Sequence, residues 1–298
     1  MPRLSLLPAP HFDLRLTLES GQVFHWLPDG DGGYRGLIGE RPVRLRQADG
    51  QLWVTPGAEA AVARYFALDH DLEAIYASFP SDRPMAEALD FCWGLRIIRQ
   101  PLWECVATFL TSSMKQVAHI RQMSLALRER FGRPVACWEA PAVYPEPERL
   151  ARATEAQLRA CGLGFRAGNL LETARLVAEG TVDLEAIQAM DDEAALAELC
   201  RLPGVGPKIA NCALLFGYER LRAFPIDVWI ERVLRQLYFA KKRNVTVPQL
   251  REFAARAFGP YGGYAQQYLF HHARSRPAAL GKRVAQPDHK AKRADHYK

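Results

Sequence analysis

Lys208 and Asp227 are the two residues whose types and surroundings best suit covalent chemistry: an amine that can attack an electrophilic carbon, and a carboxylate that can face the positive charge such an attack creates. Lys208 follows Leu202-Pro203-Gly204-Val205-Gly206-Pro207, a Pro/Gly-rich turn that runs straight into a helical pattern. Two glycines permit a tight turn and close backbone approach. Pro207 suits the first helical position, so the free N–H groups of that turn point at an approaching anion, and a DNA phosphate fits that description. Taken alone, the turn is equally an ordinary connection between two helices without a ligand. A lysine there feels the positive end of the helix dipole, which opposes protonation. An ordinary lysine, with a pKa of about 10.4, is neutral in fewer than roughly one molecule in a thousand at pH 7, so a nucleophilic role also requires burial or nearby positive charge. By itself, a lysine in this position is more often a phosphate contact.

Its neighbours shift that balance. Nineteen residues on, in Phe224-Pro225-Ile226-Asp227-Val228-Trp229-Ile230, Asp227 stands immediately before an apolar-periodic helix and suits its N-cap. A carboxylate so placed can also face a sugar that gains positive charge as its base departs, which is the stabilisation that glycosidic cleavage needs. The two roles are compatible.

The elements that must position this pair fall into an α+β arrangement. The first fifty-odd residues carry period-two runs, Leu14-Arg15-Leu16-Thr17-Leu18 and Val43-Arg44-Leu45-Arg46, separated by turn signals such as Pro28-Asp29-Gly30 and Asp49-Gly50. They predict a small N-terminal antiparallel β-sheet. From about Ala60 the spacing becomes i, i+3, i+4, over Met85 to Ile98, Glu104 to Phe131, Arg166 to Ala178 and Val228 to Phe239, which predicts a mainly α-helical remainder. Thr154 with Gln157 fits a capping box, and Gly162 after Cys161 fits a helix C-terminus. The expected division is a β-rich domain over 1–98, a helical domain over 99–281 and a basic, disordered tail over 282–298.

Composition narrows the class. Hydrophobic residues at 49% and charged residues at 24% are ordinary for a globular chain of 298 residues. There is no run of about 18 apolar residues for a membrane span and no basic start followed by an apolar signal core, so an intracellular protein without a membrane partner is expected. The net charge is +6, but residues 282–298 hold six Lys/Arg and two Asp, contributing +4 and leaving +2 for the rest. Affinity for nucleic acid in the body must therefore come from local geometry. Six cysteines, at 92, 105, 137, 161, 200 and 212, form no C-x-x-C and no tight cluster with histidine. Buried free thiols are expected, and no iron-sulfur cluster, since no cysteine lies beyond Cys212.

Through the hairpin Leu202 to Gly206, Lys208 and Pro225-Ile226-Asp227-Val228, the chain resembles the helix-hairpin-helix DNA glycosylase superfamily. More closely it resembles the 8-oxoguanine DNA glycosylases, since the likeness runs from Ser20-Gly21-Gln22-Val23-Phe24-His25-Trp26 to Gly259-Pro260-Tyr261-Gly262-Gly263-Tyr264-Ala265-Gln266. The resemblance implies a bifunctional glycosylase and abasic-site lyase, in which Lys208 attacks the sugar C1′ and forms a Schiff base while Asp227 assists base loss and elimination. The target nucleotide must first leave the stack, at a cost of a few kcal/mol. In the implied base pocket, the Gly21 carbonyl reads the extra N7 hydrogen of the oxidised purine and Gln266 meets the Watson–Crick edge. Cys212 and Phe270 sandwich the base, and Pro225 lines the same pocket. Each also has a plainer reading: Gly21 as a turn, Cys212 and Phe270 as core.

Implied DNA contacts are Lys115, His119, Phe165, Arg166, Gly204, Val205, Gly206 and Trp229. The backbone carbonyls of Cys200, Leu202 and Val205 are the implied holders of a structural monovalent cation, with no cofactor required for the chemistry. The implied partner is double-stranded DNA containing 8-oxoguanine, met by a monomer in the cytoplasm at the nucleoid, or in the nucleus of a eukaryote. Departures from the family pattern concern the strand opposite the lesion. Met114 matches a wedge asparagine and His119 an arginine that reads the orphaned cytosine, while Arg166 keeps the second such arginine. Phe165 stands for a tyrosine wedge, and Trp229 for a histidine phosphate contact. The oxidised purine is thus a firmer implication than a cytosine opposite it. Two other readings compete: an alkylated-base glycosylase of the same superfamily, which usually lacks the lysine, and a non-catalytic DNA-binding protein that keeps the hairpin for phosphate contact.

Overall fold

The computed structural model describes residues 4–30, 32–112, 115–135, 141–240, 242 and 244–276, and the statements that follow concern these. The tail 282–298, Met114 and Cys137 lie outside them. Strands β1 (Ser5–Leu7), β2 (Leu27–Pro28), β3 (Tyr34–Ile38), β4 (Arg41–Ala48) and β5 (Gln51–Val54) form one antiparallel sheet in the order β1-β5-β4-β3-β2. Period-two patterning does what was expected in β4 and β5, where Val43, Leu45, Leu52 and Val54 all turn into the core. Pro28-Asp29-Gly30 leads into the β2–β3 turn, and Asp49-Gly50 makes the β4–β5 turn.

The remainder is helical, with three corrections to the sequence reading. Leu14–Glu19 is an α-helix rather than a strand. Its leucines fit either period, and the cap decides: Asp13 accepts the Leu16 N–H at 2.7 Å, and Leu14, Thr17 and Leu18 form a buried i, i+3, i+4 face. The helix expected over Met85 to Ile98 runs only from Arg83 to Phe91. Gly94 ends it with a φ of 82°, and its carbonyl accepts the Asp13 N–H at 2.9 Å, so residues 95–100 leave as an extended strap. The stretch Glu104 to Phe131 holds two helices, Leu102–Ser112 and Val117–Phe131, and the Lys115 N–H donates to the Ser112 carbonyl at 3.2 Å.

Arg166–Ala178 forms the expected helix. Val228–Val233 forms an α-helix that continues as a wider π turn to Tyr238. The Thr154/Gln157 capping box is present, and Gly162 adopts the positive φ of a helix end, 82°. Helix Leu102–Ser112 is the axis of the molecule, buried from Cys105 to Ser112 and packed on helix Pro207–Phe216. A second, smaller core lies between the sheet and helices Leu14–Glu19 and Glu59–Tyr65, with Trp26, Phe66 and Leu52 at its centre.

A buried polar network joins the two halves and fixes the Ser20-Gly21 loop. Gln22 is fully buried; its side chain donates to Ser20 Oγ at 3.0 Å and to the Arg96 carbonyl at 2.8 Å, and accepts the Ile98 N–H at 2.9 Å. The Gln22 carbonyl accepts from Gln100 Nε2 at 2.9 Å, and the Ser20 carbonyl from Gln267 Nε2 at 3.1 Å. Buried polar bonds of this kind hold a loop in one place.

Candidate active site

Helix Pro207–Phe216 starts where the hairpin ends. The Val205 N–H closes the turn on the Leu202 carbonyl at 3.0 Å, and the Thr173 hydroxyl donates to the Pro203 carbonyl at 3.3 Å. Gly204 has a φ of 79°, and a Cβ there would lie 2.4 Å from Asn169 Nδ2, so the tip of the hairpin rests directly on helix Arg166–Ala178. Gly206 is the N-cap and Pro207 the first helical residue; no side chain caps the helix, which leaves its first N–H groups for an anion.

Lys208, in the first turn, is half-buried. Its Nζ lies 5.8 Å from the centre of the Phe109 ring, which stacks on Phe216 at 5.2 Å and 11°. One turn further, Cys212 is buried beside it. Burial pushes the Cys212 thiol up, and the charge of Asp227 adds to this, while the Lys208 charge pulls it down. Asp227 caps helix Val228–Val233, its Oδ1 accepting the Ile230 N–H at 2.8 Å. Burial raises the Asp227 carboxyl above the ordinary carboxylate range, against the backbone N–H groups of Ile230 and Trp229 and the charge of Lys208. Amine, thiol and acid are thus within one another's electrostatic field. Phe109 and Cys212 neighbour the amine, which is within the field of Asp227 and makes no ion pair among the described residues.

The Gly21 loop lies against helix Gly262–Ser275 and Val117. Gly21 has a φ of 91°, and a Cβ there would lie 3.0 Å from Arg274 Nη1, 3.5 Å from the Phe270 ring and 3.6 Å from Val117. Gln266, Phe270 and Arg274 recur every fourth residue along helix Gly262–Ser275 and so stand on one face of it. Gln266 is 5% exposed, and its Oε1 is buried without a hydrogen-bond partner among the described residues. An unpaired buried acceptor costs about 1–3 kcal/mol, which a polar ligand edge would recover. Pro225 is buried in the extended segment that delivers Asp227.

Comparison with known proteins places this geometry in a family. Residues 5–106 match the 8-oxoguanine DNA glycosylase N-terminal domain, and residues 107–257 match the HhH-GPD superfamily of base excision DNA repair proteins. The chain belongs to the 8-oxoguanine DNA glycosylase family. A probable N-glycosylase/DNA lyase of Methanothermobacter thermautotrophicus is 32% identical over 90% of this chain and 95% of its own. N-glycosylase/DNA lyase OGG1 of Arabidopsis thaliana is 30% identical over 90% of this chain and 80% of its own. Among solved structures, the 8-oxoguanine glycosylase/lyase of Clostridium acetobutylicum, in complex with double-stranded DNA containing cytosine opposite 8-oxoG, superposes with a TM-score of 0.85 at 27% identity. That match covers 93% of this chain and all of the other.

Within this 8-oxoguanine glycosylase fold, the residues expected to meet DNA differ in exposure. Lys115 and His119 are exposed on either side of the start of helix Val117–Phe131, whose Val117 touches the Gly21 loop. Phe165 is 65% exposed, ahead of helix Arg166–Ala178. Arg166 does not project with it: the residue is buried, its guanidinium lies 4.3 Å from the Phe165 ring centre, and its Nη1 donates to the Leu163 carbonyl at 3.4 Å. Trp229 is half-buried, with the Arg232 guanidinium 5.8 Å from its ring centre.

Four neighbours of the site escape the sequence reading: Phe109 under the lysine, Val117 and Arg274 against Gly21, and Val228, 59% exposed beside the acid. For Arg274 the four-residue spacing from Phe270 is a signal already present in the sequence. A groove of about 260 Å³, lined by residues including Arg83, Val233, Leu237 and His272, contains neither Lys208 nor Asp227. Among the described residues no group of three or more His, Cys, Asp or Glu side chains could hold a metal ion, and no helix is long and apolar enough to cross a membrane.

Proposed function

We propose that Lys208 and Asp227 are the catalytic pair with which this 8-oxoguanine DNA glycosylase and abasic-site lyase removes the oxidised base from duplex DNA and cuts the strand. The observation that carries the reading is that the lysine sits against Phe109 and Cys212 within the field of a half-buried acid, at the start of a helix whose first N–H groups are uncapped. The hairpin Gly204, Val205 and Gly206 with these N–H groups clamps a phosphate beside the extruded nucleotide. The base enters between Cys212 and Phe270. There the Gly21 carbonyl accepts its N7–H, the unpaired Gln266 amide oxygen accepts from its Watson–Crick edge, and Pro225 closes the side.

Lys208 Nζ in its neutral form then bonds to C1′ as the C1′–N9 bond breaks, and the electron pair leaves with the base, which takes up a proton. Asp227, held by the Ile230 N–H, faces the positive charge on the sugar. The nitrogen lone pair then opens the C1′–O4′ bond, giving the protonated imine while O4′ keeps the bonding pair and takes up a proton, and loss of a C2′ proton breaks the C3′–O bond and expels the 3′ phosphate. Lys115, His119, Phe165 and Trp229 hold the duplex around the gap, with the buried Arg166 packed against Phe165. Neutral carbonyl donors suit a monovalent cation rather than a transition metal, so Cys200, Leu202 and Val205 would hold such an ion and stiffen the hairpin. The enzyme works where the genome is, in the nucleoid or, in a eukaryote, the nucleus.

The amine beside the acid favours this reading over an alkylated-base glycosylase. The test is incubation with duplexes carrying 8-oxoguanine or 3-methyladenine. Release of 8-oxoguanine with strand scission supports the reading, and release of 3-methyladenine alone, with the strand intact, overturns it.

A further inference from the structure

We propose that Arg274 is a hydrogen-bond donor of the base pocket that meets a carbonyl oxygen of the extruded purine beside N7, and so takes part in selecting the lesion. The inference rests on the base-pocket reading above and extends it to a residue outside the motifs that carry it. The guanidinium is anchored from behind. Its Nη2 donates to the Glu19 carbonyl at 2.7 Å and lies 3.3 Å from His271 Nδ1, and its central carbon lies 5.4 Å from the centre of the Phe270 ring. Its other nitrogen has no acceptor: Nη1 is buried, has no hydrogen-bond partner among the described residues, and stands 3.0 Å from the position of a Cβ on Gly21.

A buried N–H of a charged group left without an acceptor is costly, and a fold that keeps one at the wall of its site keeps it for a partner that arrives from outside. Burial works against this charge, while the acids Asp227 and Glu19 support it, so the cation beside the Gly21 loop is also within the field of Asp227. The acceptor follows from where Nη1 lies. If the Gly21 carbonyl takes N7–H, a donor immediately beside Gly21 meets one of the two exocyclic oxygens that flank N7 in 8-oxoguanine, at C6 or at C8. A backbone phosphate is the competing acceptor. The stacking of the guanidinium on Phe270, itself a wall of the base sandwich, favours the base.

The experiment uses the full chain with Arg274→Leu and Arg274→Lys. Single-turnover excision of 8-oxoguanine is compared with cleavage of a preformed abasic site and with affinity for a duplex carrying a stable abasic analogue. A base contact predicts that Arg274→Leu slows excision about tenfold or more, the loss expected for one charge-assisted hydrogen bond. Abasic cleavage and analogue affinity stay within about twofold, because those substrates carry no base for the bond to reach. Arg274→Lys, which keeps the charge and packs on Phe270 in much the same way, gives the same selective loss in smaller degree and serves if the leucine variant fails to fold. Parallel losses on both substrates would point to a phosphate contact or a purely structural role and overturn the proposal, as would unchanged excision. Failure of the unaltered protein to release 8-oxoguanine is a separate result that removes the pocket reading and this proposal with it.

Discussion

Replacing Asp227 by asparagine and by alanine separates the two things its carboxyl does. As the N-cap of helix Val228–Val233, Asp227 accepts the Ile230 N–H at 2.8 Å. Alanine loses that bond, at a cost of about 1 kcal/mol, or about 2–4 °C in Tm for a chain approaching this size. Asparagine keeps the cap. It also removes a charge that the fold disfavours, since burial raises the Asp227 carboxyl above its ordinary range. A carboxyl whose folded value is raised weakens the fold above that value, and the weakening is relieved as pH falls through it. At pH 7 Asp227→Asn is therefore expected to be at least as stable as the parent, while its excision rate falls about a hundredfold or more for want of the charge that faces the sugar. Thermal denaturation and single-turnover excision on the same preparations check both halves. An asparagine variant as unstable as the alanine one would refute the burial argument, and one that excises at the parent rate would refute the catalytic one.

Burial, with Arg128 beside it, lowers His25 to about 4, and burial with Arg274 nearby lowers His271 to about 4. Because the unfolded chain protonates these rings near 6.5 and the folded one does not, stability is expected to fall as pH drops from about 6.5 toward 4. A Tm that stays flat across that window would contradict the assignment, as would NMR titration of either ring near its ordinary value. Gly204→Ala places a Cβ 2.4 Å from Asn169 Nδ2 at a φ of 79°; it is expected to cost about 1–3 kcal/mol and to weaken DNA binding. Adding Asn169→Ala should recover part of that stability, and no recovery would mean that the clash is not the cause. For the exposed Lys115, alanine should weaken duplex binding and reduce the salt slope by about one. An unchanged slope removes Lys115 from the phosphate contacts.

Much of the site is legible in the sequence because its parts are local. A Pro/Gly hairpin running into a lysine, and an aspartate ahead of an apolar-periodic helix, specify a turn, a helix start and a cap without any long-range contact, and all three form. The sheet is legible for the same reason at β4 and β5, where alternation and an Asp-Gly turn agree. Misreadings come where two local signals compete. In Leu14–Glu19 the leucines fit both periods, and the Asp13 cap tips the balance to helix. After Phe91 and after Ser112 the apolar spacing runs on through the end of a helix, because the strap and the second helix are buried as well. What sequence patterning could not supply is the contact between the Gly21 loop and helix Gly262–Ser275. Gly21 and Arg274 are brought together by Gln22, Gln100, Gln267 and the Glu19 carbonyl, contacts that span up to 255 residues and leave no periodic trace.

Covalent joining of Lys208 to the sugar can be read by borohydride trapping during turnover on an 8-oxoguanine duplex, followed by peptide mapping of the adduct. One protein–DNA adduct is expected, mapped to Lys208 and lost in Lys208→Gln although that variant still binds the duplex. An adduct that persists at parent level in Lys208→Gln, or that maps to another amine, would contradict it.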